Sequence, residues 1–326
     1  MTSGNAPEIG IVVPCFNEEE ILPETARQLQ AKLMELAEAG ALSKSSRVWF
    51  VDDGSTDTTW SIIKALVASD PCFMGIKLTR NHGHQYALYA GMMKAEGDAL
   101  ISMDADLQDD INAIDEMVEK FRAGIEIVYG VRHDRHTDGK FKRWTAALHY
   151  WVAARFGVET VPNHADFRLM SAKAVRLLGQ YRETNIYLRG IVPLLGLSTD
   201  YVYYTRGARL VGETKYSLVA MLSLSARGIT SFSMGPLRFI MLIGALVFLI
   251  SLGLSGWALW AKITGNSTLI DGWASTVIPI YLLGGFQLLA IGIAGEYIGK
   301  AYMEVKNRPL YQVEEIISHS GDRDHD

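Results

Sequence analysis

Only two cysteines, Cys15 and Cys72, occur in 326 residues. Both flank apolar, strand-like runs, so a disulfide framework is excluded and two thiols in a reducing compartment are expected. The chain shows no N-terminal signal peptide, because Met1 to Glu8 is polar and holds no apolar stretch. Its first strand-like run lacks a following G-x-G-x-x-G turn, which argues against a simple NAD-binding enzyme. Charge of one sign is also in short supply. Lys and Arg number 31 against 36 Asp and Glu, a net of −5, which says little about partners; no nucleic acid is expected among them.

Apolar residues are plentiful, at 49% of the chain, and they are unevenly placed. The first 215 residues read as an ordinary soluble domain. Beyond them lie two uncharged runs, 23 residues from Phe239 to Ala261 and 24 from Gly272 to Gly295. At ~1.5 Å per residue each helix would be about 35 Å long, enough for a hydrocarbon core of ~30 Å. Two transmembrane helices are expected, at about 237–261 and 273–297. Lys215, Arg227 and Arg238 precede the first run, and Lys300, Lys306 and Arg308 follow the second. The positive-inside rule then predicts a multi-pass inner-membrane protein with both termini and the first domain cytoplasmic.

The expected division is a domain over 1–210, an amphipathic interfacial segment over 211–235, the two spans within 236–300 and a cytoplasmic tail over 301–326. In the interfacial segment Leu218, Met221, Leu222, Ile229 and Phe232 recur at helical spacing. Gly285, Gly292 and Gly299 form a stripe in the second span that would let helices approach closely, so a homo-oligomer is a candidate assembly. The last nine residues are polar and read as disordered.

The first half alternates strand-like and helix-like segments. Strands are predicted at 8–14, 47–53, 73–78, 98–104 and 126–132, and helices at 18–38, 56–68, 84–95 and 109–123. Continuous apolar strands alternating with helices predict a Rossmann-like, mainly parallel sheet covered on both faces. Ligands of such sheets bind at the carboxyl ends of the strands. There the polar residues gather: Asn17, Glu18 and Glu19 after the first strand, Asp52 and Asp53 after the second, Asp104 and Asp106 after the fourth, Arg132 after the fifth.

ISMDADLQDD, at 101–110, turns from apolar to acidic within a few residues. Asp104, Asp106 and Gln108 are spaced i, i+2, i+4, so in an extended chain their side chains share one side. Three such oxygens suit a hard divalent cation, Mg²⁺ or Mn²⁺. Asp109 and Asp110 read as first-turn acids of the next helix. In the second acidic stretch Gly54, Ser55 and Thr56 are explained by turn and cap chemistry, whereas Asp52 and Asp53 are not.

Together PCFNEEE (14–20), VDDGSTD (51–57), RNHGHQYAL (80–88), DADLQ (104–108) and DFRLM (166–170) resemble family 2 glycosyltransferases of the GT-A fold. GETKYS at 212–217, followed by two apolar runs, is similar more narrowly to polyprenyl-phosphate glycosyltransferases, among them bactoprenol glucosyltransferases and, more distantly, dolichol-phosphate mannose synthases and aminoarabinose-lipid transferases. The resemblance implies an inverting, metal-dependent transfer of a sugar, glucose by that likeness, from a UDP-sugar to undecaprenyl or another polyprenyl phosphate. The product would serve cell-envelope glycan modification, such as that of lipopolysaccharide.

It also implies roles for individual positions. Pro14, Asn17, Glu18 and Asp53 would hold the nucleotide, with Asp52 nearby and Arg132 facing phosphates. Asp104, Asp106 and Gln108 would carry the metal. Asp166 would sit at the reacting centre with Arg168 behind it, and Arg168, Arg206, Arg209 and Lys215 are the candidates for the lipid phosphate. Relatives often carry Lys where His84 stands, so the role of that cation is open. A processive polysaccharide synthase would need a Q-x-x-R-W motif, but Arg143-Trp144 follows Lys140 and comes too early. A non-catalytic membrane scaffold is the rival from another class, against which Asp104, Asp106 and Asp166 all stand intact.

Overall fold

The computed structural model describes residues 6–132, 164–205 apart from 182, 184 and 185, residue 207, isolated positions between 240 and 260, and 273–319. The chain divides into two units. One holds residues 1–150, 159–217 and 309–326, and the other holds 151–158 and 218–308.

The first unit is built on eight strands: β1 (Ile9–Cys15), β2 (Arg47–Asp52), β3 (Phe73–Leu78), β4 (Ala99–Ser102), β5 (Ile127–Arg132), β6 (His164–Ser171), β7 (Thr199–Tyr204) and β8 (Val313–Ile317). They form one sheet in the order β7-β5-β6-β4-β1-β2-β3-β8. β1 pairs in parallel with β2 and β4, β2 with β3, and β5 with β7. β6 lies antiparallel between β4 and β5, and β8 runs antiparallel along β3. The expected α/β sheet is therefore present, but mixed in direction.

Every residue of β1 is buried, as a strand covered on both faces requires. One face packs Ile11, Val13, Phe50 and Phe73 against Leu22, Leu29 and Leu33 of α1 (Leu22–Glu38) and Ile63 of α2 (Thr59–Ser69). Pro23 suits the first turn of α1, and its buried Leu22, Ala26, Leu29, Leu33 and Leu36 recur every three or four residues. Each large side chain so buried contributes roughly 1.5–3 kcal/mol. On the other face, α3 (His84–Lys94) comes close because Gly91 has no side chain. A Cβ there would stand 2.4 Å from Val12 and 2.7 Å from Val51. α4 (Ala113–Arg122), α5 (Ala172–Leu178) and α6 (Leu188–Leu194) complete the described helices of this unit.

In the second unit the described helix is α7 (Trp273–Val305). Among the described residues no helix is long and apolar enough to cross a membrane. The expected pair of membrane spans and the multi-pass inner-membrane placement are corrected accordingly. The second apolar run does lie in α7, but Gln287 interrupts it, and Glu296, Lys300 and Glu304 occupy its last turns. Most of 239–261 and all of the interfacial segment 211–235 lie outside the described residues. Of the glycine stripe, Gly292 and Gly299 have no described atom within 4 Å of where a Cβ would stand. Within the segment expected as a tail over 301–326, residues 313–317 form the edge strand β8.

Candidate active site

The carboxyl ends of β1 and β2 are tied together. Cys15 stands opposite Asp52 in register, and its carbonyl accepts the Asp53 N–H at 2.8 Å. Asn17, at a positive φ of 55°, accepts the Thr56 N–H at 2.8 Å with its side-chain oxygen. The Asn17 and Glu18 N–H groups donate to Ser55 Oγ and Thr59 Oγ1. Pro14 is buried within β1, opposite Val51.

Asp53 is 2% exposed and accepts the His82 N–H at 2.7 Å on one oxygen and the Gly83 N–H at 2.8 Å on the other. Burial pushes its pKa up, while those two amides pull it down. Gly54 permits the close approach. It has φ 69°, and a Cβ there would lie 2.5 Å from the Arg80 carbonyl carbon. Asp52 is wholly buried. It accepts the Ser55 N–H at 3.3 Å, and its other oxygen has no partner. Burial raises its pKa as well. Asn17 and Glu18 thus meet the loop after β2 through Ser55, Thr56 and Thr59, with Asp52 and Asp53 buried beside them.

The acid loop departs from expectation. β4 ends at Ser102, and Leu107 turns the chain with φ 53°, so Asp104, Asp106 and Gln108 do not extend along one side. Gln108 is buried at 8% exposure, and its carbonyl accepts the Gly207 N–H at 2.9 Å. Of the three residues expected to carry a metal, Asp104 and Asp106 are partly exposed and Gln108 is buried. Among the described residues no group of three or more His, Cys, Asp and Glu side chains is arranged to hold a metal ion. Asp104 is nevertheless short of positive charge. Burial above all, then Asp109, Asp166 and Asp106, push its pKa up to about 6 against the pull of His84.

Across the crevice stands Asp166. Antiparallel β6 sets Arg168 opposite Ser102, and the Ser102 hydroxyl donates to the Asp166 carbonyl. The Asp166 carboxylate accepts from Arg168 Nη2 at 2.8 Å, Arg189 Nε at 3.1 Å and Nη2 at 3.0 Å, and Gln85 Nε2 at 3.1 Å. His84 Nε2 lies 3.6 Å from Asp166 and 3.5 Å from Asp104, bridging the two acids. Burial alone would raise the pKa of Asp166, but His84, Arg189 and Arg168 outweigh it and hold the group well below the carboxylate range. The two acids raise the pKa of His84 against burial.

Arg168 is 1% exposed, with its guanidinium spent on Asp166 and the Leu188 carbonyl, so its assignment to a lipid phosphate is corrected. Arg189 and Gln85 were not singled out from the sequence. Gln85 falls inside the quoted RNHGHQYAL stretch, whereas Arg189 lies 23 residues past Asp166 with no strand-end signal beside it.

Arg132 does reach the crevice from the end of β5, but it is engaged. It donates to Asp109 at 3.2 Å and to the Tyr204 hydroxyl at 3.2 Å, while that hydroxyl donates to Asp109. Asp109 is 3% exposed, so its reading as a first-turn acid is corrected to a buried anchor joining three elements. Asp110 accepts instead from Asn112, the residue before α4. Arg206, Arg209 and Lys215 lie outside the described residues.

Residues 10–191 match glycosyl transferase family 2. The chain is 46% identical over 310 residues to the uncharacterized glycosyltransferase YkoT of Bacillus subtilis, covering 94% of this chain and 91% of the relative. It is 41% identical over 320 residues to the SfII prophage-derived bactoprenol glucosyl transferase of Shigella flexneri, covering 96% and 99%. It is also 40% identical over 314 residues to the prophage bactoprenol glucosyl transferase homolog of Escherichia coli, covering 95% and 99%.

Proposed function

This chain belongs to glycosyl transferase family 2, and from that premise we propose that it transfers glucose from UDP-glucose to a polyprenyl phosphate, undecaprenyl phosphate in a bacterium, with inversion. The observation that carries the reading is the carboxylate of Asp166. It is held ionised by two arginines and a histidine within reach of the accessible acid Asp104. Near-full-length identity to proteins named bactoprenol glucosyl transferase supports the choice of sugar and acceptor.

The acceptor sets the demands on the site. A phosphate monoester has a second pKa of about 6, so it is largely dianionic at neutral pH and needs no strong general base. Asp166 fits that case. Both of its oxygens accept from cations and from Gln85, and its low pKa makes it a poor proton acceptor. Its role is to hold Arg189 and His84 where negative charge develops, and to stabilise positive charge at the anomeric carbon. Asp104 and Asp106 fit a divalent cation, Mg²⁺ or Mn²⁺, because two carboxylates stand two residues apart there, and burial together with neighbouring acids raises the pKa of Asp104. Such an ion, when bound, neutralises the leaving diphosphate. Arg206, Arg209 and Lys215 are proposed for the acceptor phosphate.

The test is a panel of labelled nucleotide sugars with the purified full chain, Mg²⁺ or Mn²⁺, and polyprenyl phosphate in detergent. Label should pass from UDP-glucose into a polyprenyl-linked product of inverted configuration. Transfer from another sugar nucleotide alone would replace glucose in the reading. No metal-dependent transfer from any donor would end it.

A further inference from the structure

The chain leaves the sheet-bearing unit for residues 218–308 and then returns to it. The returning strand β8 pairs with β3: Ile317 opposite Gly75, Ile316 opposite Ile76, Glu315 opposite Lys77 and Val313 opposite Leu78. Lys77 Nζ lies 2.9 Å from Glu314, and Lys64 Nζ lies 3.2 Å from Glu315. Ile317 fills the space over Gly75, where a Cβ would stand 2.7 Å from it.

A strand that served only to cover β3 could end its contacts at Leu78. These continue. The Thr79 N–H donates to the Gln312 carbonyl at 3.0 Å, the Leu310 main chain lies against the His82 ring, and the Tyr311 ring meets Tyr89 edge-on at 6.2 Å. Residues 79–89 are the segment that gives the His82 and Gly83 N–H groups to Asp53 and begins α3 at His84. One short stretch therefore grips both the exit of β3 and the first half of α3, with the Asp53-binding turn between the two grips.

Resting on the reading of the crevice as a sugar-nucleotide site, we propose that residues 310–317 are a positioning element for the donor. They hold the 79–83 turn against Asp53 and keep His84 in place between Asp104 and Asp166. Displacements of about 1 Å in such a frame cost up to ~10²-fold in activity. The positioning segment is distant in sequence from the turn it holds: its Lys77–Glu314 contact spans 237 residues.

Three proteins test this: the full chain, the chain ended at Arg308, and full-length Tyr311→Ala. The probe is UDP, followed by calorimetry and by hydrogen exchange at the His82 and Gly83 amides. Both variants should bind UDP about tenfold more weakly, exchange those amides faster and raise the donor KM, with the polyprenyl phosphate KM unchanged. A peptide of residues 309–319 added to the shortened chain should restore UDP binding by rebuilding the edge strand. If the shortened chain does not fold, Tyr311→Ala decides alone. Unchanged UDP affinity and exchange in Tyr311→Ala overturn the proposal, as does an equal rise in both KM values. Failure of the full chain to bind UDP overturns the donor reading instead, and amide exchange then judges the strand by itself.

Discussion

Two acidic loops at the same edge of the sheet are built on opposite principles. The loop after β2 ties its polar groups to the backbone, since Asp53 accepts the His82 and Gly83 amides, Asp52 the Ser55 amide and Asn17 the Thr56 amide. The loop after β4 leaves Asp104 raised to about 6 and facing other acids. A carboxylate already spent on the backbone holds a shape, whereas one left short of positive charge is kept for something that arrives. Proximity to the crevice does not tell these apart, but the partners of each oxygen do.

That contrast can be broken at several points. The largest effect is expected from Arg168→Met, which removes the fully buried cation from Asp166 and leaves Arg189, Gln85 and His84 as its partners. It should cost about 3 kcal/mol in denaturant unfolding, as breaking a buried ion pair does. Asp166→Asn in the same chain should recover part of the loss. If Arg168→Met melts like the wild type, Asp166 is not clamped as described.

Asp104→Ala should lower transfer by roughly 10²–10³-fold, the scale of losing one electrostatic stabiliser, with little change in stability. The complementary Asp53→Asn should do the reverse. It replaces one accepting oxygen by an NH₂ that faces a buried backbone donor, leaving that amide unsatisfied at about 1–3 kcal/mol, so stability falls and the donor KM rises more than kcat falls. Equal damage by both substitutions to stability and to rate would erase the distinction between the loops.

A smaller effect is expected for Tyr204→Phe. Removing the hydroxyl shared by Asp109 and Arg132 should cost on the order of 1 kcal/mol, read from chemical denaturation. Acid sharpens the comparison further. Asp166 has a folded pKa below its unfolded value, so the stability it gives is present above the unfolded value of about 3.9 and is lost as pH falls toward the folded one. Asp53 has a raised folded pKa, so whatever stability it gives is full below its unfolded value and fades as pH rises through the folded one. Asp166→Asn should therefore flatten the acid limb of the stability profile, and Asp53→Asn should not.

Much of this was legible in residue order. The five apolar runs near 8, 47, 73, 98 and 126 became β1 to β5 within a residue or so, except that β4 stops at Ser102. Burial on both faces leaves a continuous apolar signature that local reading detects. β6 was quoted as a motif but not read as a strand, because its place between β4 and β5 is a long-range pairing with no local mark. Asp109 was misread for a related reason: an acid ahead of a helix has an adequate local explanation, and Tyr204, which buries it, comes 95 residues later. The i, i+2, i+4 reading of Asp104, Asp106 and Gln108 assumed an extended chain that Leu107 breaks. VEEII lies in the expected tail, and its pairing with β3 is a further long-range contact with no local mark. The membrane spans were inferred from uncharged length alone, a reading that gives no weight to Gln287 and the charged last turns of α7.

β6 runs against its neighbours, so the beginning of this strand, not its end, reaches the rim of the crevice. Asp166 therefore owes its location to pairing with β4 and β5 and not to the thirty-one residues that separate those strands from it, 133–163.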